Sequence, residues 1–548
     1  MNRILSRMLC GCLVPAVLCL FTGCSETEST GTGYLFTYTM SEDPDCLDPQ
    51  YSDHQNAAVV IANTMEGLLR PDPATGEPLP AGAESYTVSE NGLTYMFNLR
   101  DDCFWYRTGW TEEQAVPVTA QDYVYAFRRL FDPATQSPYA EDFLCLKNAG
   151  AILAGTADYT TIGISAPDPE TVIFKLEYPN AEFPKLVAQP CAVPCNEEFF
   201  LSTNGRYGLD LDTSISNGPF YMTKWNYDAY GSDNFITFRK SPVYYDKDAV
   251  APAGLTFRIQ KTQQAAEESY AAGTGDILMT NTWSTQYENE KNYVVTKQQA
   301  ETLGLIFNPQ NETLQSDTLR TALACGIDRT VIAAQTGGDL QVAYGVIPPG
   351  ARMLGRSYRD LYADKQLALP YDPARAAALF SEAAEELGLY SLNTFRILVS
   401  SEITDTDALL ALCQEWQDLF GYYIGIETVT PTEFRKRIAA GDYSIALYPI
   451  SADTSSCYDV LHTFNAQSEL LGFESEVFTA LMPKLSTAKN LSDTLPLYGE
   501  AEQAIIDSLD FIPLYYKNTY LICTAGNTDI GMNAFTDVIY FRDAKHFS

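Results

Sequence analysis

The sequence predicts an α/β fold with a partly parallel sheet, and three observations carry that expectation. In the last half of the chain, helix and strand patterns alternate, with helix 405-419, strand 422-429, helix 432-440 and strand 443-449. That order lays helices on a parallel sheet. The first third mixes hairpin signals with capped helices. A chain of 548 residues with 46% apolar content buries more core than one lobe holds, so two or three lobes are expected.

From the amino terminus, Arg3 and Arg7 precede an apolar stretch from Met8 to Phe21. Basic then apolar is the order of a secretory signal, and the stretch is short for a membrane span. It closes on Gly23-Cys24, which resembles a bacterial lipobox, the signal in which residues 1-23 are removed and the thiol is acylated. Phe21 departs from the Leu, Val or Ile usual there. An ordinary signal peptide with an incidental cysteine is the alternative. Residues 24-33 hold no core residue and read as a flexible tether. The protein is therefore expected outside the cytoplasm, on the outer face of the cytoplasmic membrane or in a periplasm, with a lipid anchor on Cys24.

Further along, Tyr86 to Val88 and Leu93 to Leu99 alternate apolar and polar positions around Asn91-Gly92, a dipeptide suited to a tight hairpin turn. Thr119 followed by Asp122 reads as the start of a helix that carries Tyr123, Phe127 and Leu130 inward and stops at Asp132-Pro133. Thr171 to Leu176 returns to strand alternation. Leu319, Leu323 and Ile327 share a helical face, and Asp328 can cap the next helix. Asp372-Pro373 opens an alanine-rich helix that ends near Gly388.

Charge narrows the function. Lys and Arg total 35 against 70 Asp and Glu, a net charge of −35. Such a surface repels nucleic-acid phosphates and anionic headgroups, so no nucleic-acid partner is expected. Four of the thirteen cysteines belong to the signal region, leaving an odd number that cannot all pair. Cys191 and Cys195 form the one close pair. Most are read as small buried apolar residues, with one or two disulfides left open. Three histidines without zinc spacing argue against a metal site. Neither a Gly-x-Ser-x-Gly elbow nor a His-Glu-x-x-His helix is present, so an enzyme is not expected. No cofactor is expected either.

From Leu47 to about Tyr516 a series of short motifs occurs in one order. They include Leu47-Asp48-Pro49, Met65-Glu66-Gly67-Leu68, Thr94 to Arg100, Val116 to Asp122, Ser137-Pro138-Tyr139-Ala140, Ser216 to Phe220, Tyr244-Tyr245-Asp246, Arg320 to Leu323, Ile347 to Gly350 and Ile512 to Tyr515. Together they resemble the solute-binding proteins of peptide import transporters, the oligopeptide- and dipeptide-binding class of family 5. The resemblance implies a periplasmic-binding-protein-like fold (type II, cluster C), in which two main lobes close over a hinged cleft and a third lobe is inserted in the first. On this chain the first lobe would be 34-66, 198-297 and 517-548, the inserted lobe 67-197 and the second main lobe 298-516. It also implies a monomer that captures peptides and delivers them to the permease subunits of an ABC importer. Most of the motifs have structural explanations; Arg100 and Arg320 are expected in salt bridges or at helix ends.

The same resemblance implies site residues. An extended peptide would pair with backbone from both lobes, which binds without reading side chains. On the second lobe the segment is Ile450, Ser451, Ala452 and Asp453, with Asp453 at the position that holds the peptide α-ammonium group. A simple turn aspartate is the alternative for Asp453. Ile450 and Thr454 replace the aromatic residues usual there, and Pro449 has no amide hydrogen to donate. On the first lobe the segment is Asp53, His54 and Gln55, and Tyr139 matches a tyrosine that reaches the peptide. Relatives of this fold take oligosaccharides, metal chelates or haem, and a signalling-peptide receptor would share the cleft, so these readings stay open.

Overall fold

The computed structural model describes residues 33–547 except 232, 336–339, 363–366, 390, 391, 393, 394, 404, 405 and 489. Cys24, the signal and all but the last residue of the tether lie outside the described residues. No helix among the described residues is long and apolar enough to cross a membrane.

An eleven-stranded sheet runs through the whole molecule. From one edge its order is Phe220–Asn226, Asn234–Lys240, Gly254–Ile259, Leu35–Met40, Ile277–Thr280, Phe511–Thr524, Tyr293–Phe307, Ile445–Ile450, Arg396–Ser400 and Gly425–Val429. The short strand Gln341–Val342 pairs alongside Phe511–Thr524. Parallel pairing occurs in both halves: Leu35–Met40 with its neighbours Gly254–Ile259 and Ile277–Thr280, and Arg396–Ser400 with Gly425–Val429 and Ile445–Ile450.

Two long antiparallel strands, Tyr293–Phe307 and Phe511–Thr524, belong to both halves. One apolar core gathers residues from Phe36 to Met279 with Leu521 to Ala544, and a small satellite packs Tyr270 and Tyr287 on Tyr520. Two further cores draw on residues between Leu303 and Tyr515. No described residue of 296–302 or 516–519 enters any of these clusters. The ribbon is therefore held there by hydrogen bonds and not by an apolar core: beside its own ladder, Gln298 bonds the Met532 carbonyl and the Ala534 N–H, and Thr302 donates to the Val346 carbonyl. Its register shifts between Gln298 and Glu301, a bulge that adds local twist.

The hairpin expected around Asn91-Gly92 forms from Ala83–Val88 and Thr94–Leu99, with Gly92 at φ +68. It extends into a second, four-stranded antiparallel sheet with Thr171–Lys175 and Ile164–Asp168. Against it lies the helix Ala120–Phe131, whose Thr119 and Asp122 cap each other, with Phe127 packed edge-on against Phe143 and Phe174. In the second half the helices Thr406–Phe420 and Pro431–Ala439 and the strands Gly425–Val429 and Ile445–Ile450 fall where the alternation placed them, within three residues. Ile327 lies beyond its helix, which Gly326 ends, yet stays in the same core. Pro449 is tolerated because pairing with Arg396–Ser400 stops at Ala446, so no ladder bond needs its missing N–H.

The motifs away from the cleft are spent on buried polar contacts. The Glu66 N–H donates to Asn217 Oδ1 (3.0 Å), and Asn217 Nδ2 returns a bond to the Glu66 carbonyl (2.8 Å). Tyr244 and Tyr245 donate their hydroxyls to Glu66 Oε1, and Arg100 stacks on the Tyr245 ring. At Gly218 a Cβ would lie 2.8 Å from the Thr64 carbonyl carbon, so only glycine lets the chains approach. Arg129 grips Asp48 with both Nη atoms (3.0 and 2.5 Å), and Arg320 pairs with Asp510. Arg100 and Arg320 thus hold structure, as expected. The cysteines 46, 103, 145, 191, 195, 325, 413, 457 and 523 are all free thiols, and only Cys46 is not buried. The disulfide option, Cys191 with Cys195 included, is therefore not taken up among the described residues.

Candidate functional site

The strand directions place a gap over the core-free ribbon. In the first half, Leu35–Met40 and Ile277–Thr280 run parallel, and Thr280 ends beside Tyr520. In the second half Ile450 ends beside Thr302, which itself pairs with Tyr516. The carboxyl ends of the two sets of strands therefore face each other across the ribbon, separated by the rise from Tyr516 to Tyr520, about 13 Å. Loops that leave strand ends at such a junction are where α/β folds place ligands.

The second-half wall is the loop Ser451–Ser456. Ile450 is fully buried and spends its side chain on the core, so it offers backbone alone to the gap. Thr454 Oγ1 donates to Asp459, and Thr463 Oγ1 donates to the Ser451 carbonyl (3.0 Å), pinning the loop to the helix Cys457–Ala466. Ser451 and Asp453 are left exposed and Ala452 half-buried. Among the described residues nothing hydrogen-bonds the Asp453 carboxylate, so the turn arrangement that would occupy it is not formed. Its carbonyl accepts from Gln189 Nε2 (2.6 Å), a contact that reaches across from the first half.

The first-half wall is the loop Ser41–His54. Asp53 and Gln55 are exposed. His54 caps the helix Gln55–Thr64 through Nδ1, which accepts the Asn56 N–H (3.2 Å), and its Nε2 meets Glu42 (3.3 Å). Gln55 is already helical, so extended backbone here ends at His54. Tyr139 donates its hydroxyl to the Ser52 carbonyl (2.6 Å), which leaves its half-buried ring, not its O–H, to face outward.

Two residues that the sequence reading did not single out complete the wall. Asp142 sits one turn beyond Tyr139 in the short helix Ala140–Phe143, and Asp459 lies in the first turn of Cys457–Ala466. Burial, then the charges of Asp453 and Asp459, push the Asp142 carboxyl up to about 8. Burial and the nearby Glu182 push Asp459 to about 7, while Lys185 pulls it back. Lys185 itself is shared between Glu77 (3.1 Å) and Glu182 (3.0 Å). The wall is therefore acidic and short of cations. A faint signal existed for Asp142, three residues after the matched tyrosine. None existed for Asp459 beyond its place at a helix start.

At the floor, Lys517 pairs with both oxygens of Glu301 (3.0 and 3.1 Å), and Asp537, at φ +51, is pushed up to about 6 by burial. Beside the same ribbon lies a cavity of ≈ 870 Å³ bounded by Thr75, Gln298, Arg352, Ser455 and Asn533. That is the size of a ligand pocket. A second void of ≈ 50 Å³ under Glu66 and Tyr540 holds a few waters at most. No group of three or more His, Cys, Asp or Glu placed to hold a metal ion occurs among the described residues.

Comparison with known proteins agrees with this architecture. The chain is 25% identical over 538 residues to the oligopeptide-binding protein OppA of Bacillus subtilis, covering 95% of this chain and 94% of that one. It is 25% identical over 496 residues to the probable deoxycholate-binding periplasmic protein YgiS of Escherichia coli, covering 88% of each. Its structure resembles the substrate-binding domain of an oligopeptide ABC transporter from Bacillus anthracis, with a TM-score of 0.74 and 25% identity over 94% of this chain and 99% of that one. The family model for bacterial extracellular solute-binding proteins, family 5, matches residues 77–470, more than half of the chain. The protein belongs to the family 5 bacterial extracellular solute-binding proteins, with the mixed α/β fold of the oligopeptide-binding type.

Proposed function

We propose that this protein captures oligopeptides in the gap over the ribbon and presents them to the permease of an ABC importer, held at the membrane by a lipid on Cys24. The lobes of the reading are 34-66 with 198-297 and 517-548, the inserted 67-197, and 298-516. They rotate about the ribbon between 296–302 and 516–519, and a peptide contacting both sides stabilises the closed form. The observation that carries the proposal is the gap itself. Its width of about 13 Å exceeds the roughly 10 Å that a peptide needs to lie as a strand between two others. Asp453, exposed and without a hydrogen-bond partner among the described residues, supplies a carboxylate for the α-ammonium group. Ser451, Ala452, Asp53 and His54 supply backbone along the two sides, the Gln55 side chain borders the entrance, and the Tyr139 ring forms part of the wall.

The wall favours this reading over an anionic steroid such as the one named for the Escherichia coli relative, because Lys185, the cation whose field reaches Asp459, is already held by Glu77 and Glu182 and is not free to pair with a carboxylate. Titration calorimetry with tri- to pentapeptides tests it. Asp453→Asn is expected to weaken free-amine peptides by about 1.5–3 kcal/mol, the worth of a charge-assisted hydrogen bond. The variant should bind N-acetylated and free peptides more alike than the native protein does. Undiminished affinity of the variant for free peptides removes Asp453 from the site. Heat from sugars and none from peptides ends the peptide reading.

A further inference from the structure

We infer that Gln189 is a positioning residue, the central contact of a latch through which the inserted lobe holds the Asp453 end of the cleft closed whatever solute the cleft takes. The latch presupposes the rotation about the ribbon proposed above, but not that the solute is a peptide. Residues 67–197 share one apolar core with the first half, in which Val60, Phe127, Phe174 and Phe257 all take part. The inserted lobe therefore moves with that half. Yet three separate segments of it hydrogen-bond directly to the other half: Gln189 Nε2 donates to the Asp453 carbonyl (2.6 Å), the Ala181 N–H donates to the Ser486 carbonyl (3.2 Å), and the Thr75 carbonyl accepts from Ser455 Oγ (3.4 Å).

Each of these contacts is complete within the chain, donor and acceptor both being protein groups, and every acceptor is a main-chain carbonyl. The loop that receives them is itself fixed, because the Arg352 N–H donates to the Ser455 carbonyl (2.6 Å) and Thr463 Oγ1 to the Ser451 carbonyl (3.0 Å). Packing at this junction is close. At Gly76, which has φ +70, a Cβ would lie 2.5 Å from Ser455 Oγ and 3.1 Å from Ser455 Cβ. The two halves are thus joined twice, once by the continuous ribbon and once by the latch. A rotation that separates the inserted lobe from the second half has to break the latch first. Gln189 makes its shortest bond, and makes it to the backbone of Asp453, so it fixes where that residue stands while leaving the carboxylate to the solute. Contacts that favour the closed form raise the apparent affinity of any solute that bridges the halves, because a larger fraction of the protein is already competent to bind.

Small-angle scattering and calorimetry test the latch on the native protein, on Gln189→Met, which keeps the length and loses the donor, and on Gln189→Met combined with Ser455→Ala. Without solute, the double variant should have a larger radius of gyration than the native protein, and saturating Ala-Ala-Ala should bring the two to one value. Affinity for Ala-Ala-Ala should fall about three- to tenfold in Gln189→Met, the net worth of one hydrogen bond. Gln189→Lys, which can donate again, should recover most of that loss; unchanged circular dichroism shows that the variants are folded. Equal radii without solute, or an affinity that Gln189→Met leaves unchanged, overturn the latch and leave the peptide reading standing. Absence of heat from Ala-Ala-Ala with the native protein, beside radii that still differ, overturns the peptide reading and leaves the latch.

Discussion

Replacing Arg129 by Met removes the guanidinium that anchors one wall of the cleft, while the stem volume is kept. Both Arg129 and Asp48 are 7% exposed. Asp48 would lose its bonds to Nη1 (3.0 Å) and Nη2 (2.5 Å) and keep a single backbone donor, Gln50 N–H at 3.2 Å. Gln50 Oε1 would lose its bond to Nη1 (2.8 Å), and the Phe200 ring its cation at 4.0 Å. Stranding a buried carboxylate in this way costs about 3–5 kcal/mol, and the ring contact adds about 0.5–1 kcal/mol. Urea unfolding followed by tryptophan fluorescence is the assay, because Trp105, Trp110, Trp225 and Trp283 lie in the half that holds the pair. Asp48→Asn combined with Arg129→Met should recover more than half of the loss, since no buried charge is then left alone. Peptide affinity should fall as well, because residues 48–52 lead directly into Asp53 and His54. A loss below about 1 kcal/mol, or a double variant no better than the single one, refutes the reasoning.

Three further outcomes are expected. Gly304→Ala places a Cβ 2.4 Å from Phe511 Cζ and 2.7 Å from the Ile512 carbonyl, so denaturation should show a loss of about 1–3 kcal/mol; Gly150→Ala, with nothing within 4 Å, should cost nothing measurable. Burial raises the carboxyls of Asp142 to about 8, Asp459 to about 7 and Asp537 to about 6. Carboxyls raised on folding stabilise fully below their unfolded value near 4 and lose that contribution as pH rises through 6 to 8. The urea midpoint should accordingly fall between pH 5 and pH 8.5, and a midpoint that rises instead contradicts the assignment. Thiol labelling of the native, unreduced protein should reach Cys46 first. All nine cysteines between 46 and 523 should label after unfolding without reductant, and fewer than nine would reveal a disulfide.

Much of the second half was legible because its signals are local. Asp372 and Pro373 open a helix and Gly388, in the left-handed region, closes it, with no help needed from distant contacts. The ribbon was not legible. Its centre, Lys297-Gln298-Gln299, is polar because it crosses between cores and joins neither, so apolar alternation is missing where the strand matters most. The acidic wall was hidden for another reason. Asp142 and Asp459 are ordinary helix-start acids in one dimension, and their sign acquires meaning only when two segments more than 300 residues apart are apposed. Motif order points to Asp453, which the structure leaves exposed, whereas Ile450 in the same segment is buried in the core.

The ribbon also sets a condition on how the chain acquires its shape. Each half-sheet requires Phe511–Thr524, the strand that lies between Ile277–Thr280 and Tyr293–Phe307. Neither half can finish its hydrogen-bonded ladder until nearly the whole polypeptide has emerged, and the partners it joins are more than 200 residues apart in sequence. Such distant pairing is slow. An extracytoplasmic protein that crosses a membrane before folding gains from this arrangement, because a partly exported chain holds no completed half to obstruct passage. A chain ended at Asp510 should accordingly show no protease-resistant half of either kind.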